Sequence, residues 1–327
     1  MQKNILVFSN GEKIGDGIIK LPLLNEIKRR LPDRKLYWMT NKGSTVYNSL
    51  LKNIASQYID HIYEKADLNP FFWQKISNNF ELEKTKFEYI FDTQKAVLRT
   101  IALKRIKSSY FISASASGFF SDKGYKKIAE INRRYYLEDL FDLLDLIKKD
   151  KVDRNYKIPI PNLLEIKIKK ILQKDKLYFG ISPGAGEKNK IWPIEKFEDV
   201  ANFFQQKSYK IVFFLGPQEN NLKQRLINNF PDAIFLEDLI DNFSGAEIVM
   251  ASTKFLSCVL TNDSGTSHML STNYCPVFKL FGPKNPNKFT PNKNNLYTIS
   301  SQEFDSFNIE DIEQGYVINK IKNFLKI

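Results

Sequence analysis

The sequence predicts an α/β fold made of two doubly wound, Rossmann-like domains that face a central cleft. Strand-like and helix-like segments alternate along the chain, which favours parallel α/β architecture. The length of 327 residues suits two domains of about 150 residues each. The segment KIPIPNL, residues 157–163, holds two prolines and separates two such series. In sheets of this kind, ligands bind beyond the carboxyl ends of the strands.

The first half of the chain supplies the first series. Short apolar runs predict strands at residues 4–9, 35–39 and 88–92. Helical spacing predicts helices at 17–31, in a stretch through Leu103, and at 126–149. We therefore assign residues 1–156 to the N-terminal domain and 157–175 to a linker region.

The second half repeats the alternation. Strands are predicted at 176–182, 210–216, 233–236, 255–261 and 276–281. Helices are predicted at 194–206, 218–229, 243–251, a short one from 265, and an amphipathic one at the end of the chain. These elements form a C-terminal domain of residues 176–327, and we expect the last helix to pack back on the N-terminal domain.

Composition narrows the class of protein. No apolar stretch approaches the ~18–20 residues of a membrane span, and we expect a cytoplasmic protein. Cys258 and Cys275 each sit in an apolar run, which predicts buried free thiols. With two histidines and no cysteine cluster, we expect no metal site. The net charge of +12 attracts phosphates of nucleic acid, lipid or sugar, or reflects lysine-rich solvated faces.

The loop SNGEKIGDGI, residues 9–18, follows the first predicted strand. Its glycines allow sharp turns, and Asp16 falls at the start of the following helix. Asp16 is therefore either the helix N-cap or a carboxylate presented at the cleft as a general base. The pattern lacks G-x-G-x-x-G, so a dinucleotide site finds no support.

Two loops of the second half combine glycines with charge. ISPGAGEKNKIWP, residues 181–193, carries Gly184, Gly186, Lys188 and Lys190 and could hold an anion, although many glycine loops are only turns. It has no Gly-Lys-Ser/Thr and is not a Walker loop. TNDSGTSH, residues 261–268, predicts the end of a strand followed by the start of a helix. Either Asp263 or Ser264 simply caps this helix, or the backbone N–H groups at its start bind a ligand.

These motifs, in this order, resemble glycosyltransferase family 9, the lipopolysaccharide heptosyltransferases. The segments that carry the resemblance are KIGDGIIKLPLLNEIKRRLP, GISPGAGEKNKIWP, NDSGTSH and PVFKLFGPKNP, with a weaker match at FDTQ. The chain departs from the family at Gly11-Glu12-Lys13, where Ser-Ser is usual, and at Lys284, where threonine is frequent.

The resemblance implies the GT-B fold, with the acceptor on the N-terminal domain and a nucleotide-sugar on the C-terminal one. It implies Asp16 as catalytic base, Lys190 on the donor diphosphate and Glu219 on the ribose. The expected donor site comprises Ser182, Gly184, Ala185, Lys190, Glu219, Asp263, Ser264, Gly265, Thr266 and His268. It implies no metal and no cofactor besides the donor.

Basic residues are expected to contact a phosphorylated glycolipid acceptor, with peripheral contact at the inner face of the cytoplasmic membrane. The candidates are Lys13, Lys126, Lys127, Arg133 and Arg134.

The sequence therefore predicts an inverting glycosyltransferase that moves heptose from ADP-heptose to a lipopolysaccharide core or a related glycan. One alternative is another GT-B enzyme that uses a different nucleotide-sugar, or an epimerase that needs no acceptor. A second is a non-catalytic basic protein that binds nucleic acid or phospholipid, although no nucleic-acid motif is present and no nucleic-acid partner is expected.

Overall fold

Two units make up the chain, Met1–Tyr156 and Lys157–Ile327. The computed structural model describes residues 3–71, 73–76, 82, 84–124, 136–153, 157–272, 275–284, 286 and 295–327. Each unit contains one five-stranded sheet in which all the pairs are parallel. We call the units the first and the second domain.

The sheet of the first domain has the strand order β3-β2-β1-β4-β5. Its strands are β1 Asn4–Ser9, β2 Lys35–Thr40, β3 His61–Tyr63, β4 Phe87–Asp92 and β5 Ser108–Ser113. Its helices are α1 Ile14–Arg30, α2 Lys52–Ala55, α3 Val97–Lys104 and α4 Tyr136–Asp145. Every residue of β1 is buried, because a central parallel strand is covered on both faces.

Two strands of the first domain, β3 and β5, were not predicted from the sequence. β3 has only three residues, and β5 begins with two serines, so neither shows an apolar run. α1 begins three residues earlier than predicted, at Ile14. α4 is the described part of the helix predicted at 126–149, and residues 125–135 lie outside the described residues.

The second sheet has the order β10-β9-β8-β6-β7. Its strands are β6 Leu177–Ser182, β7 Tyr209–Phe213, β8 Cys258–Asn262, β9 Val277–Phe281 and β10 Leu296–Ser300. Its helices are α5 Asn162–Ile171, α6 Ile194–Gln206, α7 Asn220–Asn229, α8 Gly245–Ser252, α9 Gly265–Leu270 and α10 Gln314–Leu325.

The strand predicted at 233–236 is reduced to a single parallel bridge between Val212 and Ile234. This bridge extends the sheet beyond β7. When it is counted as a short strand, the second sheet follows the Rossmann order 3-2-1-4-5-6 in chain order. The first sheet has the same order over its five strands.

One expectation about the domain edges needs correction. The predicted linker region contains the helix α5, whose buried Leu164 and Ile168 face inward and which packs on α8. The last helix, α10, packs on α6, and its buried Val317 and Ile321 belong to the core of the second domain. The expected contact of α10 with the first domain stays a prediction.

Cys258 and Cys275 are buried free thiols, as predicted. Burial raises the pKa of both, and that of Cys275 to about 12. Within the described ranges, no helix is long and apolar enough to cross a membrane.

Candidate functional site

The loop after β1 places Asp16 in the first turn of α1. Lys13 occupies the N-cap position and makes no side-chain cap bond, so the N-cap interpretation of Asp16 is wrong. The carboxylate of Asp16 is exposed to solvent, while the neighbouring Gly17 is buried and its carbonyl accepts a 2.6 Å hydrogen bond from Tyr47 Oη. The hydrogen bond from Tyr47 therefore holds the first turn of α1, and with it Asp16, in place.

Glycine contacts fix the path of the same loop. Gly11 has φ of +109°, and a Cβ placed there would lie 2.7 Å from the Cα of Gly43. The N–H of Gly43 donates to the carbonyl of Asn10 at 3.2 Å. Any larger side chain at Gly11 would separate the loops that follow β1 and β2.

Beneath Asp16 lie two buried charged side chains that sequence reasoning did not assign. Glu12 is buried and accepts a hydrogen bond from the hydroxyl of Thr45, and burial raises its pKa. Lys20 is buried as well, and its Nζ donates to Ser9 Oγ at 3.0 Å. Burial lowers the pKa of Lys20, while the carboxylates of Glu12 and Asp16 oppose that shift.

A spacing of four residues could have shown this cluster. Asp16 and Lys20 are four residues apart in α1 and so lie on one side of the helix, and Glu12 is four residues before Asp16 in the loop that precedes the helix. One Oε atom of Glu12 is buried without a hydrogen bond among the described residues. Position 12 therefore differs in charge and in burial from an ordinary loop residue.

The weaker FDTQ match contains a buried carboxylate at the end of β4. Asp92 accepts hydrogen bonds from the hydroxyls of Thr100 and Ser113, each at 2.8 Å, and from the N–H of Gln94 at 2.9 Å. Burial raises the pKa of Asp92 to about 6. These bonds join β4 to α3 and β5, which is a structural role.

The acceptor candidates can be placed only in part. Lys13 is exposed at the start of α1. The other four, Lys126, Lys127, Arg133 and Arg134, lie outside the described residues.

In the second domain, the loop after β6 encloses a pocket with the turn after β7. The pocket has a volume of about 390 Å³, and its lining includes Gly184, Ala185, Lys188 and Glu219. Glu219 lies in a short 3-10 turn before α7, and its Oε2 accepts the N–H of Gly216 at 2.9 Å. A Cβ at Gly184 would lie 2.4 Å from the carboxyl carbon of Glu219, so a larger residue there would displace the Glu219 carboxylate.

A chain of alternating charges continues from this loop. Lys190 Nζ lies 3.3 Å from Asp263 Oδ2 and 3.3 Å from Glu187 Oε1. Lys284 Nζ donates to the same Glu187 oxygen at 3.0 Å. Hydrogen bonds from Lys284 and Lys190, together with their charges, lower the pKa of Glu187. An ion pair therefore joins the glycine loop directly to the NDSG loop.

Two residues of this region were missed. Lys279, in the middle of β9, is completely buried, and its Nζ lies 3.5 Å from Asp263 Oδ1. Asn262 donates from Nδ2 to the carbonyl of Pro183 at 2.6 Å, and its Oδ1 accepts the N–H of Trp192 at 3.3 Å. A lysine inside an apolar strand pattern was the available signal for Lys279.

The structure shows which side chain caps the helix α9. Ser264 is the N-cap, and its hydroxyl accepts the N–H of Ser267 at 3.2 Å. Asp263 is not the cap, because its carboxylate pairs with lysines. His268 is partly buried, and burial, followed by the charge of Lys279, lowers its pKa to about 4. At neutral pH the imidazole is therefore uncharged and offers one N–H donor.

The remaining donor candidates divide by exposure. Ser182 is buried at the end of β6, where it pairs in register with Thr261. Gly265 is exposed and Thr266 half-buried in the first turn of α9. Thus Lys190, Asp263 and His268 form one group with Lys279, while Gly184, Ala185 and Glu219 line the pocket.

Comparison with known proteins identifies the family. A family model described as glycosyltransferase family 9 (heptosyltransferase) matches residues 133–317, more than half of the chain. The chain belongs to glycosyltransferase family 9. It is a glycosyltransferase, as the sequence motifs predicted. The matched range contains every donor candidate of the second domain and leaves Asp16 outside.

The family-9 chain is also similar to individual proteins. Lipooligosaccharide heptosyltransferase 2 of Campylobacter jejuni is 24% identical over 279 residues, 85% of this chain and 79% of that protein. A solved family-9 glycosyl transferase from Veillonella parvula has a TM-score of 0.71 at 16% identity, covering 100% of this chain and 99% of its own.

A further solved structure, the E. coli heptosyltransferase WaaC with ADP-2-deoxy-2-fluoro heptose, has a TM-score of 0.69 at 15% identity. It covers 98% of this chain and 99% of its own. These similarities, with the two parallel-sheet domains, confirm the predicted GT-B fold.

Proposed function

We propose that the chain transfers a heptose from ADP-heptose to a lipopolysaccharide core or related glycan acceptor, with inversion at the anomeric carbon. The observation that carries this proposal is the charge cluster of the second domain. Three lysines, Lys190, Lys279 and Lys284, pair with two carboxylates, Asp263 and Glu187, so the cluster has one more formal positive charge than negative. A diphosphate is the kind of ligand that this excess charge favours. The names of the similar proteins supply the heptose and the lipopolysaccharide.

The donor side of the proposed reaction uses the second domain. The pocket beside Gly184 and Glu219 would take the nucleoside, with the Glu219 carboxylate accepting hydrogen bonds from ribose hydroxyls. The ammonium of Lys190 would bind the diphosphate and stabilise the negative charge that grows on it as it departs. His268, which is neutral, would donate its N–H to the donor and add no charge.

The acceptor side uses Asp16 of the first domain. An acceptor hydroxyl oxygen attacks the anomeric carbon on the face opposite to the diphosphate. The new C–O bond forms as the bond from that carbon to the phosphate oxygen breaks, and ADP leaves with the bonding electrons. The exposed carboxylate of Asp16 takes the hydroxyl proton. One inverting displacement of this kind requires one base and no covalent enzyme intermediate.

Transfer assays with a panel of sugar donors test this function. The purified chain is incubated with ADP-heptose, other ADP-sugars and UDP-sugars, with and without lipopolysaccharide that lacks core heptose. We expect ADP release and acceptor modification only when ADP-heptose and acceptor are both present. Modification of a donor without acceptor would instead indicate an epimerase, and transfer from a different donor would refute the heptose assignment.

Membrane contact belongs to the same proposal. The acceptor is a lipid, the net charge is +12, and Lys13 is exposed beside Asp16. Co-sedimentation with vesicles that contain anionic lipid, compared with neutral vesicles, tests this contact. Equal recovery with both kinds of vesicle would count against it.

A further inference from the structure

Lys279 occupies a place where a lysine is unexpected. β9 lies between β8 and β10, and all five of its residues are buried. A strand buried on both faces normally carries apolar side chains. An ammonium group loses its hydration at such a position, which costs free energy unless partners replace the lost water.

The partners of Lys279 replace that water only in part. Its Nζ makes no hydrogen bond among the described residues. The nearest opposite charge is Asp263 Oδ1 at 3.5 Å, and the ring of Phe281 lies 5.2 Å away, measured to its centroid. Replacement of a whole buried ion pair by apolar side chains often leaves a protein equally stable or more stable, whereas removal of one partner destabilises it when the other is left unpaired. Asp263 has a second partner in Lys190, so removal of Lys279 would not leave that carboxylate unpaired. Stability alone therefore gives little reason for a lysine at this position.

The environment of Lys279 gives a different reason. Asp263 is held from two sides, with Lys190 on the loop side and Lys279 on the strand side. His268 interacts electrostatically with the same three groups, Lys279, Asp263 and Lys190, which belong to β9, the loop after β8 and the turn before α6. Lys279 thus lies behind residues that the proposed function assigns to donor binding.

We propose that Lys279 is a positioning residue of the donor site, which holds the Asp263 carboxylate from behind, with its Nζ 3.5 Å from Asp263 Oδ1. Two consequences follow. The Asp263 carboxylate no longer neutralises Lys190 fully, so Lys190 retains charge for an anionic ligand. Protonation of His268 would place a third positive charge beside two lysines, so the imidazole stays neutral and donates a hydrogen bond. The ligand class, a nucleoside diphosphate, rests on the proposed function.

The chain offers a favourable test because it contains only two histidines. NMR of the imidazole groups can follow His268 across a pH series, with His61 of the first domain as an internal reference. In the native protein we expect a His268 midpoint near pH 4. In Lys279→Met we expect this midpoint to rise by about one pH unit, because a neighbouring positive charge has been removed. Lys279→Arg keeps the charge and should keep the midpoint low.

Calorimetric titration with ADP supplies a second measurement on the same variants. We expect Lys279→Met to raise the ADP dissociation constant about tenfold, with little change in the melting temperature because Asp263 keeps Lys190 as a partner. Lys20→Met, which removes the buried lysine of the first domain, is the matched control and should leave the His268 midpoint and the ADP affinity unchanged.

Clear results would overturn the proposal. A folded Lys279→Met protein with the native His268 midpoint and native ADP affinity would do so. If that variant does not fold, a native His268 midpoint near the ordinary 6.5 would also overturn it. Neither measurement needs sugar transfer. Absence of ADP binding in the native protein, with the His268 response intact, would refute the nucleotide assignment and leave the role of Lys279 standing.

Discussion

Both domains lead from the first strand of their sheet into a polar loop, but the two loops handle charge differently. After β1, the charged side chains Glu12 and Lys20 are buried on hydroxyl partners, and the exposed group is the carboxylate of Asp16. After β6, the cation of Lys190 faces a carboxylate that Lys279 shares. The same strand order therefore supports two different charge arrangements, and the proposed function assigns proton transfer to the first and anion binding to the second.

The largest effect is expected at Asp16 of the first domain, which the proposed function makes the base that takes the acceptor proton. Asp16→Asn keeps the size of the side chain and removes its basicity. We expect turnover to fall about 10²–10⁴-fold, the usual contribution of a general base. ADP affinity, measured by calorimetry, should not change. Unaltered turnover would show that another group takes the proton. Glu12, which lies four residues before Asp16 in the loop after β1, would be tested next.

The next largest effect concerns the second domain. Lys190→Met removes the ammonium that pairs with Asp263, and we expect ADP to bind about 10- to 100-fold more weakly. The dependence of ADP affinity on salt should weaken as well. Lys210→Met, an exposed lysine on β7, is the control for net charge and should bind ADP normally. Equal losses in the two variants would indicate a general charge effect.

Sequence patterns could predict much of this comparison. Continuous apolar runs located β1, β6 and β9, because central parallel strands are buried on both faces. Loops after such strands meet at one edge of the sheet, so Lys190 and Asp263 could be paired before their distance was known. Glycines in the loop after β6 marked the pocket that Glu219 lines.

Other features depend on tertiary contacts and could not be predicted from local pattern. Lys279 was hidden in an apolar run, since periodicity does not show which buried position meets a carboxylate. The burial of Glu12 depends on Thr45, which follows a different strand. α5 was taken for linker because prolines precede it, yet Pro161 stands at its N-cap, where proline is compatible with a helix start.

A third prediction tests the contact that shapes the pocket. Gly184→Ala places a Cβ 2.4 Å from the Glu219 carboxyl carbon, so either the loop or Glu219 must move. We expect the Glu219 carboxylate to move aside with little change in the free energy of unfolding, measured with denaturant, and ADP to bind more weakly. Gly186→Ala is the matched control, because nothing lies within 4 Å of a Cβ there. Native ADP affinity in Gly184→Ala would contradict the role of Glu219 in the pocket.

The smallest effect is expected at Glu187, whose carboxylate reduces the net positive charge around Lys190 and Lys284 in the second domain. Glu187 Oε1 lies 3.3 Å from Lys190 Nζ and 3.0 Å from Lys284 Nζ, so it would compete with an anionic ligand for both lysines. Glu187→Gln keeps the shape and removes the charge, so we expect ADP to bind about threefold more tightly, with the gain largest at low salt.

Glu303→Gln is the control for Glu187→Gln, because Glu303 Oε2 pairs with Lys320 at 2.7 Å on another part of the second domain. It should leave ADP affinity unchanged. If Glu187→Gln instead weakens ADP binding, Glu187 serves to order the lysines rather than to compete with the ligand. In that case the Glu187 carboxylate would hold the side chains of Lys190 and Lys284 in place for the ligand, as hydrogen-bond partners hold Glu12 and Lys20 in the first domain.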